Sequence, residues 1–356
     1  MEYNNVSLYQ KISIRNLSIF KYLFSMSFLY IIPIILANRY YIDDLGRALY
    51  GYSRWKLDGR PLANVLMQIL NFGRPLLDLS PITQILSIFL LSASLTFYAN
   101  KYFKQGSPLS VAVCLFLFIG SPFFIGNLSY KYDSLTMTLS VVVLLLFFSI
   151  NMKSVFKAIL GSVLVVAALS MYQASMGLFF ILLTMEMVHN IYENKYQIKK
   201  VFSIFVMRVG QFFLGYMLYS KVVLKNSNLD SYSTGHSGIL PLDINSMGRF
   251  AQSAKEFMSE IQTMAFSLPK FLIVFYLALM VFFSVKIIVK RKKNIAVILF
   301  SILVPFLCFI FTFIHLCVLQ NPVFGPRVLL SFCGFMLFLS YCAYNCLGRL
   351  STYALF

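Results

Sequence analysis

The sequence predicts an all-α, polytopic membrane protein: a single bundle over residues 1–356 with about ten membrane-crossing helices. Three observations predict it. Hydrophobic residues make up 59% of the chain and charged residues only 12%, with a mean hydropathy of +0.78. A soluble domain carries about 25% charged residues. The apolar runs are solid rather than alternating, which selects helices over a transmembrane barrel, since either must satisfy its backbone hydrogen bonds internally. The +18 net charge lies mostly in short segments between apolar runs, as the positive-inside rule expects, so it points to membrane topology and not to nucleic acid.

Taken in order, the start MEYNNVSLYQ is polar, and the first apolar run (about 18–37) lacks a small-residue cleavage site, so it reads as a retained helix. Lys11, Arg15 and Lys21 precede it, placing the N-terminus in the cytoplasm. The outer loop 38–81 follows. In it Leu62, Val65, Leu66, Ile69 and Leu70 recur at helical spacing opposite Asn64, Gln68 and Asn71, predicting an amphipathic helix in the outer interface. Further spans are expected at about 82–99, 109–125, 135–150, 155–171, 174–191, 201–224, 268–289, 295–318 and 328–347. A polar outer loop, 225–267, carries SYSTGHSG and an amphipathic stretch from Ser246 to Met264. The strongest basic run, KIIVKRKK (286–293), anchors an inner end, near which Lys153, Lys157 and the C-terminus also fall. Counting Arg208 at the inner end of its span, inner segments carry +14 and outer segments +4, which sets the orientation with both termini cytoplasmic. The six cysteines all sit in apolar runs and read as buried thiols, without disulfide or zinc spacing.

Nine of the twelve acidic residues face outward in this layout. The first outer loop holds Asp43, Asp44, Asp58 and Asp78 with Arg47, Arg60 and the only tryptophan, Trp55; YKYDS holds Tyr132 and Asp133, and FGPR holds Arg327. A carboxylate that takes a proton from an attacking hydroxyl and arginines that hold a departing phosphate are the parts of a group-transfer site. Each also has a plainer reading. Asp43–Asp44 is a solvated helix start, Asp44 and Arg47 a local ion pair, Trp55 and the tyrosines an interfacial belt, and Asp58-Gly59-Arg60-Pro61 a turn. Asp133 is an N-cap, and Arg327 a snorkelling cation. His189, His236 and His315 are isolated, and no metal or cofactor site is expected.

Four blocks resemble the phage-type, serotype-converting O-antigen glucosyltransferases: YIDDLGRALYGYSRWKLDGRPLANVLMQ, NLSYKYDSLTMTLS, MYQASMGLF and FGPRVLLSF. They occur in the same order and each at an outer face. The resemblance implies a GT-C-like transferase of the bacterial inner membrane. It would move glucose from undecaprenyl-phosphate glucose to a lipid-linked O-antigen at the periplasmic face, with inversion, and without a cofactor. It implies a base from the acidic pair, with Asp43 preferred and Asp44 orienting a substrate or cation. Arg327, Arg60 and Arg47 would bind the donor phosphate, and Trp55, Asp58, Tyr132, Asp133 and Gln173 would line the sugar or acceptor site. The chain is shorter than many such enzymes, so acceptor recognition is expected from 225–267 and the outer loops. A lipid-linked-sugar flippase or transporter is the alternative; it predicts ionisable residues or broken helices near the midplane, often with repeat symmetry. A membrane O-acyltransferase fits less well, because no histidine precedes His189.

Overall fold

The computed structural model describes residues 2–150, 155–193, 197–241, 243–265, 270–291 and 294–347. Lys153, Lys292, Lys293 and the C-terminal residues 348–356, on which part of the expected inner charge rests, lie outside them. The described residues are helical, with one isolated bridge (Ile239 with Leu319) and no strand.

Helix α1 (Glu2–Ala37) leads into the first loop, which folds into α2 (Asp44–Tyr50) and α3 (Pro61–Leu70). Next come α4 (Ile82–Tyr102), α5 (Pro108–Ile119) and α6 (Pro122–Leu128). The last two form one apolar unit bent by 71°. Pro122 sets the bend, since it cannot donate back into the preceding turn, and Ser121 caps the new helix through Phe123 N. Helices α7 (Ser134–Ser149), α8 (Val155–Met171), α9 (Met176–Tyr192) and α10 (Ile198–Leu218) follow; a 3₁₀ turn, Gln173–Ser175, opens α9, and a π turn, Tyr219–Leu224, closes α10. The chain ends with α11 (Ser231–Ser237), α12 (Ile244–Ala265), α13 (Lys270–Lys290), α14 (Ile295–Ile310), α15 (Ile314–Cys317) and α16 (Ser331–Leu347).

Among the described residues five helices are long and apolar enough to cross a membrane: Ser13–Ala37, Ile82–Tyr102, Gln173–Tyr192, Ile198–Leu224 and Lys270–Lys290. The bent pair would make a sixth. Ser134–Ser149, Ile159–Met171, Ile295–Ile310 and Ser331–Leu347 are apolar but shorter. Every expected span thus has a helical counterpart, although four fall short of the ~20 residues a straight crossing needs. Helix α9 is the hub, contacting α7, α10, α14 and α16. Helices α1, α10 and α13 instead turn side chains such as Leu29, Phe213 and Phe282 outward, a surface suited to hydrocarbon and not to water.

Helix α3 forms as expected, with Ala63, Asn64 and Met67 turned inward and Val65 and Ile69 exposed. Its amide-bearing face is the one that finds hydrogen-bonding partners in the protein: Gln68 pairs with Ser53, and Asn71 accepts from Leu77 N. Arg208 does not sit at a helix end. It lies about ten residues, ~15 Å, inside α10, and closes a buried triad with Glu186 and Lys101. Arg208 Nε is 2.9 Å and Lys101 Nζ 2.6 Å from the Glu186 carboxylate. The Arg208 guanidinium also lies over the Phe147 ring at 4.4 Å.

Candidate active site

The segments expected to share the outer face do converge. The first loop, residues 128–133, the α8–α9 junction, the π turn of α10 and the 318–327 segment contact one another at one end of the bundle. Arg15, Lys101, Lys286 and Arg291 belong to the other end or its approach, where Arg15 donates to Phe103 O and Arg291 to Ile191 O.

The adjacent acids separate. Asp43 ends the turn before α2 with its side chain 52% exposed, and it faces Arg327 Nη1 at 3.5 Å. Asp44, the first residue of α2, is fully buried. Its Oδ2 accepts from Tyr41 N (3.2 Å) and Lys131 N (2.8 Å), and its Oδ1 accepts from Tyr132 N (3.2 Å). It therefore pins the YKYDS segment to the first loop and forms no pair with Arg47. Burial raises its pKa to about 6, against the lowering pull of those three amides. The folded protein thus holds this proton to a higher pH than the unfolded chain, whose carboxylate titrates near 3.8. As pH rises from about 4 to about 6, this group's ionisation opposes folding, so its contribution to stability falls. Thermal unfolding in detergent should show that decline, and Asp44→Asn should flatten it; an unchanged slope in the variant would contradict this account.

Arg327 is seated from two sides. Its Nη1 makes a short hydrogen bond to the Tyr130 hydroxyl, and its backbone carbonyl accepts from Tyr172 Oη (2.9 Å) and Asn127 Nδ2 (3.2 Å). Gly126 permits this approach, because a Cβ there would come within 3.3 Å of the Pro326 and Arg327 atoms. Tyr130 is itself packed edge-on against Tyr41.

Beside this pair lies Arg60, partly exposed, which donates to Gln173 Oε1 at 2.9 Å and stands over the Tyr172 ring at 4.8 Å. Gln173 in turn donates to Asp58 O and to the Tyr219 hydroxyl, and Tyr219 donates to Gly59 O. Gly59 has φ +71°, and a side chain there would strike Leu224 and crowd Gln173 and Tyr219. The Asp58-Gly59-Arg60-Pro61 turn is thus docked onto the π turn of α10. Burial raises the Asp58 carboxyl, while Arg60 and Arg47 pull it down.

The remaining expected site residues lie beneath this surface. Trp55 is fully buried, and its indole N–H makes a short hydrogen bond to Asp133. Arg47 is sandwiched over the Trp55 ring at 3.9 Å, with Nε 3.3 Å from the Asp133 carboxylate. Asp133 precedes α7 but makes no side-chain cap. Tyr132 is also buried, and its pKa rises to about 12. Trp55, Arg47, Tyr132 and Asp133 therefore form a buried floor beneath Arg60, whose Nη1 lies 3.9 Å from the Asp133 carboxylate. Sequence reasoning missed Lys131, whose Nζ reaches Asn38 Oδ1 at 2.5 Å and Asp78 at 3.0 Å. It also passed over Tyr130, Tyr172 and Tyr219 as site residues. Tyr130 and Tyr172 lie inside the YKYDS and MYQ blocks, whereas Tyr219 lies in neither and carried no such signal. Among the described residues no group of three His, Cys, Asp or Glu side chains could hold a metal ion.

The sequence model of one family, Glucosyl transferase GtrII, matches residues 32–338. That span takes in the first loop, YKYDS, Gln173 and Arg327. The chain belongs to the GtrII glucosyl transferase family. An "Uncharacterized 55.3 kDa protein in gtrB 5'region" of Salmonella phage P22 is 32% identical over 220 residues, 61% of this chain and 45% of the phage protein. The chain thus spans less than half the length of that relative. It matches no solved structure. The reaction for which the family is named, glucosyl transfer, requires a sugar donor and an acceptor.

Proposed function

We propose that the chain transfers glucose, or a related hexose, from a polyprenyl-phosphate carrier to a lipid-linked O-antigen at the periplasmic face of the bacterial inner membrane. In this reading the ten apolar helical units all cross the membrane, and the converging loops form the outer active site. The observation that carries the mechanism is the pairing of a half-exposed Asp43 with Arg327 while Asp44 is sealed in the protein.

A donor phosphate competes with Asp43 for Arg327. Arginine holds phosphate through a planar fork, so donor binding draws Arg327 away and leaves Asp43 uncompensated beside the anomeric carbon. Asp43 then takes the proton of an acceptor hydroxyl. The acceptor oxygen forms a bond to the anomeric carbon, the bond from that carbon to the phosphate oxygen breaks, and its electron pair leaves with the polyprenyl phosphate. Fixed cations aimed at the departing charge lower the barrier; Arg327 and, behind it, Arg60 supply them. Tyr130 and the Asp44 amide clamp keep Arg327 and the YKYDS floor in register. Gln173 and Asp58 hold Arg60 and its turn.

The test is transfer in sealed membrane vesicles supplied with labelled polyprenyl-phosphate glucose and lipid-linked O-antigen. The expected result is label in the polysaccharide only when donor and acceptor both reach the periplasmic face. Movement of the lipid-linked sugar across the bilayer with no label in the acceptor would replace this reading with that of a flippase.

A further inference from the structure

Residues 230–240 form a strap between the two walls that carry Arg60 and Arg327. At one end Asp230 N donates to Leu57 O, and Ser233 Oγ reaches Asp58 Oδ1 at 3.4 Å. At the other end Asn321 Nδ2 donates to Gly235 O at 2.9 Å, His236 Nδ1 is 2.6 Å from Asn321 O, and Gln320 N donates to Gly238 O. Asp58 is two residues from Arg60, and Asn321 six from Arg327. The strap therefore ties the turn that carries Arg60 to the segment that leads into Arg327.

Its composition fits neither of the two uses already described. Along Ser231–Ser237 the side chains are hydroxyls and rings without a carboxylate or a lysine, and none is buried. The Tyr232 and His236 rings lie 4.3 Å apart, tilted by 50°, with Tyr232 59% exposed. A tilted ring pair offers apolar faces with polar edges, and tyrosine presents that area with few rotatable bonds to freeze. The Ser231 hydroxyl can both donate and accept, and the Thr234 hydroxyl, which donates to Asp230 O at 2.7 Å, can still accept. Flat apolar faces flanked by hydrogen-bonding groups match a sugar ring, which shows C–H on its faces and hydroxyl around its edge. A phosphate would instead call for cations, and a polyprenyl chain for a continuous apolar groove.

We propose that the Tyr232–His236 pair is the acceptor subsite, a platform for a saccharide unit of the acceptor glycan next to the transfer site. The assignment rests on the transferase reading above. The strap sets which acceptor sugar is presented to Asp43 and takes no part in donor binding.

Steady-state transfer by the full-length protein in proteoliposomes tests this, with donor and acceptor varied separately. Tyr232→Ala should raise the acceptor KM about tenfold and leave the donor KM within twofold. Tyr232→Phe, which keeps the ring, should stay within twofold of wild type for both substrates. His236→Ala should raise the acceptor KM as Tyr232→Ala does. Unchanged acceptor KM in both alanine variants would overturn the subsite. So would a rise in donor and acceptor KM together, which marks the strap as a structural brace only. If wild type moves no sugar, the transferase reading itself fails, an outcome distinct from either of those.

Discussion

Asp43→Asn should lower kcat for sugar transfer by roughly 10²- to 10⁴-fold, the contribution of a positioned general base. The donor KM should not rise. Asparagine removes the charge that pairs with Arg327 at 3.5 Å, so the arginine becomes more available to the donor phosphate and the variant should bind donor at least as well as wild type. Because Asp43 is half exposed and accepts no backbone amide that the fold depends on, the variant should fold. Steady-state kinetics with matched, folded protein separates the two parameters. A raised donor KM with unchanged kcat would make Asp43 a binding group and remove it from the chemistry.

Glu186→Gln should be the most damaging single change to stability away from the site. Lys101 and Arg208 are brought together in the bundle by this one carboxylate, and their side chains are 9% and 2% exposed. Removing one member of a buried ion network leaves the opposite charges uncompensated, at a cost of about 3–5 kcal/mol. Helices α4, α9 and α10 meet at this point, so the loss would be felt by the whole bundle. Thermal unfolding in detergent should show a lower Tm and poorer recovery from membranes. A variant as stable as wild type would mean that the two cations find other acceptors, such as the Phe148 carbonyl that Lys101 already reaches at 2.8 Å.

The helical character, the apolar units and the gathering of four blocks at one end of the bundle were legible in the sequence because they rest on hydropathy and charge, which are local properties. The division of labour between Asp43 and Asp44 was not. Both follow the same span, and what separates them is the arrival of the Lys131 and Tyr132 amides from nearly ninety residues away. Trp55 read as a belt residue or as a residue of the sugar or acceptor site, and its burial against Asp133, 78 residues away, was invisible in the sequence. Arg47 looked like a local partner of Asp44 but turns to the same distant carboxylate. The two faces of α3 were legible in its periodicity, but not which one the protein covers; here Asn64 turns inward and Val65 and Ile69 stay exposed. Glu186 carried a usable signal, since an acid inside an apolar run calls for cations. Its partners, on two other helices, could not be named without the packing.

The reading of a single displacement, with Asp43 as base and not as nucleophile, is tested most directly by the anomeric configuration of the product. Glucose transferred from a polyprenyl-phosphate donor of known configuration should appear in the acceptor with that configuration inverted, as resolved by NMR of the isolated saccharide. Retention would contradict the account, because it requires a second displacement and a covalent sugar intermediate on the protein.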